Sequence, residues 1–237
     1  MNCTLPIPVL KSRAKALAKR DRIPLSRALD QMARTQGFSA WSLLAAQEAQ
    51  SRQNQLLSCL APGDLVLLGA RPGKGKTLMG LQLIADAVAD GGRGVFFSLE
   101  YTQADVVARL RQLDVDPQAL GAVFGLDVSD DISADYVVAQ VAGMPSGSLV
   151  VIDYLQLLDQ RRDHPDLAHQ VTALRNCAQR QGLIIVLISQ ISRNYDPSVR
   201  PIPELSDVRL PNPLDLNLFS KTCFFGDGGV RITPVAA

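Results

Sequence analysis

Four kinds of residue in this chain have types and spacing suited to phosphate chemistry. The stretch "GARPGKGKT", Gly69 to Thr77, approaches the pattern G-x-x-x-x-G-K-[ST], with Ala70 at the first position in place of glycine. Gly73 and Gly75 let backbone N–H groups turn inward toward phosphate oxygens, and a helix opening there adds favourable partial charge. Lys76 can reach the outer phosphates, and the Thr77 hydroxyl is an oxygen ligand for Mg²⁺. Ala70 costs little, because that position marks the exit from a strand rather than a phosphate contact. The cradle is read as Ala70, Arg71, Pro72, Gly73, Lys74, Gly75, Lys76, Thr77 and Leu78. "LVVID" ends on Asp153, a second oxygen ligand for the metal shell, and "FFSLE" ends on Glu100. Glu100 is either the base that orients and deprotonates a water or an exposed carboxylate at a helix start. Gln190 ends "LISQ", where a neutral amide can sense the terminal phosphate.

These residues need strands to carry them to one edge. From Pro62 onward, short Val/Ile/Leu runs alternate with helical stretches: "DLVLLGA", "GVFFSLE", "GAVFGLDVS", "SLVVIDYLQLL" and "GLIIVLISQ". Near-continuous apolar strands between helices predict an α/β fold, with a mainly parallel sheet covered on both faces. "KTCFFGDGGVRIT" reads as a terminal hairpin turning at Asp227-Gly228-Gly229. The loop "GARPGKGKT" follows a strand and opens a helix, the context a P-loop requires.

The first 59 residues read differently, as a small basic helical region ahead of a domain at 60–237. Pro24 fits a first helical position, Gly37 a helix stop and Ser39 a cap for a third helix. Leu25, Ala28, Leu29, Met32 and Ala33 recur at helical spacing and form an apolar face. This region is either a three-helix unit or an arm that packs on a neighbour. Residues 1–60 hold nine Lys/Arg against three Asp/Glu, a net of +6 in a chain whose total is +1. Such a head either meets an anionic surface, nucleic acid first, or presents a solvated helix face. No apolar run approaches the roughly 20 residues of a membrane span. The N-terminus lacks the charge order of a secretory signal. Cys3, Cys59, Cys177 and Cys223 form no C-x-x-C pair, and His164 and His169 do not share a helical face. The expectation is a cytoplasmic protein with reduced thiols and no structural metal.

"GARPGKGKT", "FFSLE", "LVVIDYLQLL" and "LISQISR" resemble, in order and spacing, the RecA-like motor domain of DnaB-type replicative helicases. The resemblance spans about Leu60 to Arg193 and continues weakly through "ELSDVRLPNPLDL". It implies a RecA-like P-loop NTPase that uses ATP and Mg²⁺, acts on DNA (single-stranded in the first instance) and assembles as a homo-oligomer such as a hexameric ring. Lys76, Glu100 and Gln190 are then the catalytic set, with Glu100 the base and Gln190 the link to a DNA-facing loop. Thr77 and Asp153 hold the metal, and Arg193 follows Gln190 as a coupling residue. Arg193, Arg200 and Arg209 are phosphate-contact candidates on the polar segment after Gln190, and Tyr195 is a candidate for stacking on a base; the other reading is a plain surface loop.

Two departures bear on function. The basic head stands where the family has a large helical domain. The family's Lys-x-Arg-Asn-Gly motif, whose cations reach a neighbour's ATP site, is not visible in "KTCFFGDGGVRIT", which leaves Lys221 or Arg231 as substitutes. A trans cation is worth about 10³–10⁵ in rate in P-loop enzymes. The alternative to a DNA motor is therefore an ATP-dependent switch that controls assembly or a protein partner without unwinding.

Overall fold

The structure, a computed structural model, describes residues 7–158, 165–210, 212–226 and 229–235. The chain divides into two compact units, residues 1–55 and 56–237.

The first unit is helical. Helix α1 (Ile7–Asp21) packs on α2 (Leu25–Thr35), and α3 (Trp41–Ser58) follows. Leu10, Ala33 and Leu44 form its buried centre. The expected apolar face of α2 is only partly used: Ala28 and Ala33 are buried, whereas Leu25 is 44% exposed because it opens the helix. Pro24 sits one place earlier than expected, as the cap residue, and its carbonyl accepts from the Ala28 N–H. Gly37 does stop α2. At φ +88 it donates to the Arg34 carbonyl while Phe38 donates to Ala33, a Schellman ending. The N–H of Trp41, at the start of α3, is taken by the Asp30 carboxylate at 2.9 Å. A cleft of about 420 Å³ between α1 and α2 is lined by Leu10, Arg13, Leu17 and Met32.

The second unit is the expected α/β layer structure. Its strands are β1 (Leu65–Ala70), β2 (Gly94–Ser98), β3 (Phe124–Asp127), β4 (Leu149–Asp153), β5 (Ile184–Gln190), β6 (Lys221–Gly226) and β7 (Gly229–Pro234). They form one sheet in the order β3-β2-β4-β5-β1-β6-β7, parallel except for the β6–β7 hairpin. Residues 227–228, where the sequence places the hairpin turn, lie outside the described residues. Helices α4 (Lys76–Ala89), α5 (Gln103–Gln112), α6 (Ala134–Gln140) and α7 (Leu167–Gln181) connect the strands.

Because side chains alternate across a strand, each apolar run feeds two cores. Leu65, Leu67, Phe97, Ile152 and Leu187 point to one face, where Val137, Val171 and Leu174 of α6 and α7 cover them. Val66, Leu68, Phe96, Val151 and Ile188 point to the other, beneath Leu81 and Ile84 of α4 and Val106 and Leu110 of α5. Full burial of such a side chain is worth roughly 1.5–3 kcal/mol, so a register slip of one residue is strongly disfavoured. That locks the strand ends in place. Gly80 sets the depth of α4: a Cβ there would stand 2.9 Å from Val151 and 3.0 Å from Ile188.

Candidate nucleotide site

The carboxyl ends of β2, β4, β5 and β1 lie side by side, where open parallel sheets hold their ligands. Ser98 pairs with Asp153, and Ala70 pairs with Gln190. All the expected nucleotide-facing residues therefore stand on one edge, brought there by register rather than by sequence proximity.

Ala70 is the buried last residue of β1. The chain then turns through Arg71 and Pro72, with Lys74 donating to the Arg71 carbonyl at 3.2 Å. Gly73 and Gly75 adopt φ +74 and +86, and a Cβ at either would meet nothing within 4 Å. Their requirement is conformational: the left-handed turn itself needs glycine. Gly75 caps α4 and receives the Met79 N–H at 2.9 Å, so the N–H groups of Lys76 and Thr77 open at the helix end. Leu78 completes this first turn and lines the cleft described below.

Thr77 is buried, and its hydroxyl donates to Asp153 Oδ2 at 2.7 Å. This bond joins the loop after β1 to the end of β4. Burial pushes the Asp153 carboxyl up to about 6; the Thr77 hydrogen bond opposes that, Glu100 adds to it, and Lys76 and Arg109 oppose it. Burial likewise lowers the Lys76 ammonium, which the Asp153 and Glu100 charges partly restore. Glu100 follows β2, exposed, at the rim. The preceding residue, Leu99, donates to the Asp153 carbonyl at 2.9 Å, so the "SLE" turn is stitched to β4. Thr77 and Asp153 present two oxygens in contact, the donor chemistry a hard divalent cation takes, and the residues fit Mg²⁺.

Three residues missed from sequence complete the cleft. Tyr101, Arg109 and Gln112 face Gly73, Gly75, Lys76, Thr77 and Leu78 across about 290 Å³. The Arg109 guanidinium lies 3.8 Å from the Tyr101 ring centroid, a cation–π contact that holds it in place. A Thr102–Asp105 capping box fixes the start of α5 beneath them. The signal was present as that box directly after Glu100, with an arginine one turn beyond Asp105, but it points to a site only once α5 is folded over the loop.

The segment after Gln190 departs from expectation. Arg193 and Arg209 are exposed. Arg200 is paired with Glu204 at 2.6 Å and Asp207 at 2.9 Å, its charge already answered. Tyr195 cannot stack on a base: it is 5% exposed, and its hydroxyl donates to the Arg200 carbonyl. The loop closes on itself and needs that ring as its core. Lys221 also departs from its expected role. Its ammonium is bound to Asp64 and the Cys59 carbonyl, level with the start of β1 and so at the far end of the strands from the P-loop. Arg231 is exposed on β7, opposite Phe224, which is level with Gly69 at the P-loop end. Among the described residues no group of His, Cys, Asp and Glu gathers to hold a metal, and no helix is long and apolar enough to cross a membrane. Cys59, Cys177 and Cys223 are free thiols; Cys3 and His164 lie outside the described residues.

A family model described as the AAA domain matches residues 32–195, more than half of the chain. The chain belongs to the AAA domain family. Within that family it is a DnaB-like P-loop ATPase domain. It is 27% identical over 182 residues to the replicative DNA helicase DnaB of Synechocystis sp., covering 63% of this chain and 21% of the relative. It is 28% identical over 194 residues to replicative DNA helicase DnaB of Mycoplasma pneumoniae, covering 66% and 41%. The chain thus spans well under half the length of these relatives. Among solved structures, a helicase-type ATPase domain matches with a TM-score of 0.53 at 19% identity, over 69% of each chain. A DnaB-like replicative helicase, described with its interactions with primase, matches at TM-score 0.56 and 17% identity, over 90% of this chain and 64% of that one. These two matches establish the RecA-like fold.

Proposed function

We propose that this domain binds ATP with Mg²⁺ at Ala70–Leu78, transfers the γ-phosphoryl group to water, and acts on single-stranded DNA within a homo-oligomer such as a hexameric ring. The observation that carries the reading is the buried Thr77–Asp153 hydrogen bond of 2.7 Å, with Lys76 beside it and Glu100 at the rim. Backbone N–H groups of Gly73 to Thr77 cradle the phosphates, and Lys76 supplies positive charge to the outer two. Thr77 and Asp153 would hold Mg²⁺, which neutralises charge on the phosphate oxygens when bound. Glu100 accepts a proton from the attacking water as the new O–P bond forms and the β–γ bridge breaks. Gln190 senses the γ-phosphate, and Arg109 with Tyr101 closes the side of the cleft. A role in DNA replication is supported by the DnaB relatives, and a cytoplasmic setting by the same kinship and by the free thiols. For DNA, the exposed Arg193 and Arg209 are the phosphate contacts, and the basic residues of the first 60 add to them.

Glu100→Gln tests the reading. It should retain ATP and lose roughly 10²–10⁴ in turnover, the range general-base removal costs. Turnover within about twofold of wild type would put the base elsewhere.

One observation favours a second reading. With Lys221 bound to Asp64, Arg231 is the hairpin cation left to reach a neighbour's phosphates. If it does not, ATP binding switches assembly or a protein partner without translocation. Salt-dependent binding to single-stranded DNA, with and without ATP, separates the two.

A further inference from the structure

Gln156 stands in a one-turn 3₁₀ helix, Leu155–Leu157, directly after β4, and is 8% exposed. Its side-chain amide nitrogen donates to Ser189 Oγ at 2.8 Å and to the Arg209 carbonyl at 2.6 Å. Its Oε1 is buried and has no hydrogen-bond partner among the described residues. The Arg209 N–H meanwhile donates to the Gln190 carbonyl at 2.9 Å. The peptides on either side of Arg209 are therefore gripped from two strands: one by the backbone of β5, the other by a side chain from the turn after β4. Ser192 donates to the Asp207 carbonyl at 2.7 Å, and Ile191 bridges Val208 antiparallel, which fastens the same segment to the end of β5.

Packing does not account for a glutamine here. A buried amide with an orphan acceptor carries a desolvation penalty that an apolar residue of the same length avoids. What the amide supplies is a donor spanning β4, which ends in Asp153, and the segment carrying the exposed Arg209. The Tyr154 phenol, between Asp153 and Gln156, is pushed up by burial first and by the Glu100 charge, while Arg209 opposes this; both charges act on it.

We propose that Gln156 is a positioning residue that transmits the state of the nucleotide-facing ends of β4 and β5 to Arg209, and so to single-stranded DNA. The inference rests on the nucleotide and DNA reading above. When the end of β4 moves relative to β5, the Arg209 peptide follows both, because the amide joins them. Without the donor it follows β5 alone.

The test uses the full chain and measures single-stranded oligonucleotide affinity with and without a non-hydrolysable ATP analogue. Wild type should show an affinity ratio of about 5–150-fold, the usual span of coupling between two sites. Gln156→Met, of similar length but without the donor, should bring the ratio below about threefold while analogue affinity stays within about twofold. Ser189→Ala, which leaves the Arg209 contact in place, should keep the wild-type ratio. A wild-type ratio in Gln156→Met overturns the inference. Should that variant lack a cooperative thermal transition, hydrogen exchange of the wild-type Val208 and Arg209 amides decides: the analogue should change it by at least about threefold, and an unchanged rate overturns the inference. Failure of the chain to bind the analogue at all would sink the nucleotide reading itself. Binding of analogue and DNA with no mutual effect would overturn this inference alone.

Discussion

Replacing Asp153 with asparagine should stabilise the empty domain at neutral pH and destabilise it, relative to wild type, when Mg²⁺ and ATP are present. In the fold the Asp153 carboxyl titrates at about 6, against an ordinary value of 3.8, and burial is the first cause. At 1.36 kcal/mol per tenfold change, holding the ionised form costs on the order of 3 kcal/mol above that range. The folded state binds the proton more tightly than the unfolded state. The stabilising contribution of protonation is therefore fully present below 3.8 and is lost as pH rises through about 6. Asparagine keeps an acceptor for the Thr77 hydroxyl and removes the charge. In EDTA without nucleotide, urea unfolding followed by circular dichroism should show the variant more stable at pH 7.5 by up to about 3 kcal/mol, with the gain vanishing near pH 4. Adding Mg²⁺ and ATP should stabilise wild type through ligand linkage and leave the variant almost unmoved. A variant less stable than wild type in EDTA at pH 7.5, by more than about 1 kcal/mol, would refute the reasoning, because the carboxylate would then be a structural acceptor rather than a charge held for a cation.

The remaining predictions concern single charges. Lys76→Ala should weaken ATP affinity at least about tenfold without lowering the thermal midpoint appreciably, since the ammonium faces the cleft rather than the core; unchanged affinity by fluorescence titration would remove the P-loop assignment. Arg193→Ala should reduce the salt slope of single-strand binding by about 0.7, whereas Arg200→Ala should barely change it because Glu204 and Asp207 already answer its charge. Equal slopes for both variants would count against that distinction. Turnover per subunit should rise with protein concentration, and Arg231→Ala should flatten the rise; a fast rate independent of dilution points to a cation within the same subunit.

Much of this site is legible in sequence for a physical reason. In a parallel sheet every strand runs the same way, so residues that close successive apolar runs arrive at one edge. Ala70, Glu100, Asp153 and Gln190 each end such a run or follow it closely, and the register Ser98–Asp153 and Ala70–Gln190 then sets them side by side. Tyr101, Arg109 and Gln112 were not legible because they reach the loop from a helix whose placement depends on Val106 and Leu110 packing beneath it. Tyr195 misled for a related reason. An aromatic in a polar segment looks free until the loop folds around it and gives its hydroxyl a carbonyl partner.

The cations show most clearly where chain-order reasoning stops. Lys221 and Arg231 look equivalent on the hairpin, since each is a lone charge on an alternating strand. What separates them is Asp64, a residue 157 positions before Lys221. Its carboxylate accepts from the Ala61 N–H at 2.7 Å, the Ser220 hydroxyl at 2.8 Å and the Lys221 ammonium, which pins the start of β6 to the start of β1. Extracting Lys221 would leave a largely buried carboxylate short of its counter-charge, a penalty that exposed Arg231 does not face. Arg231 also lies nearer the correct end of the sheet, because β6 runs toward the P-loop end and β7 sets out on its return from there. One hairpin therefore carries a structural cation at its root and an exposed one nearer its tip, and only the second can serve another subunit's phosphates.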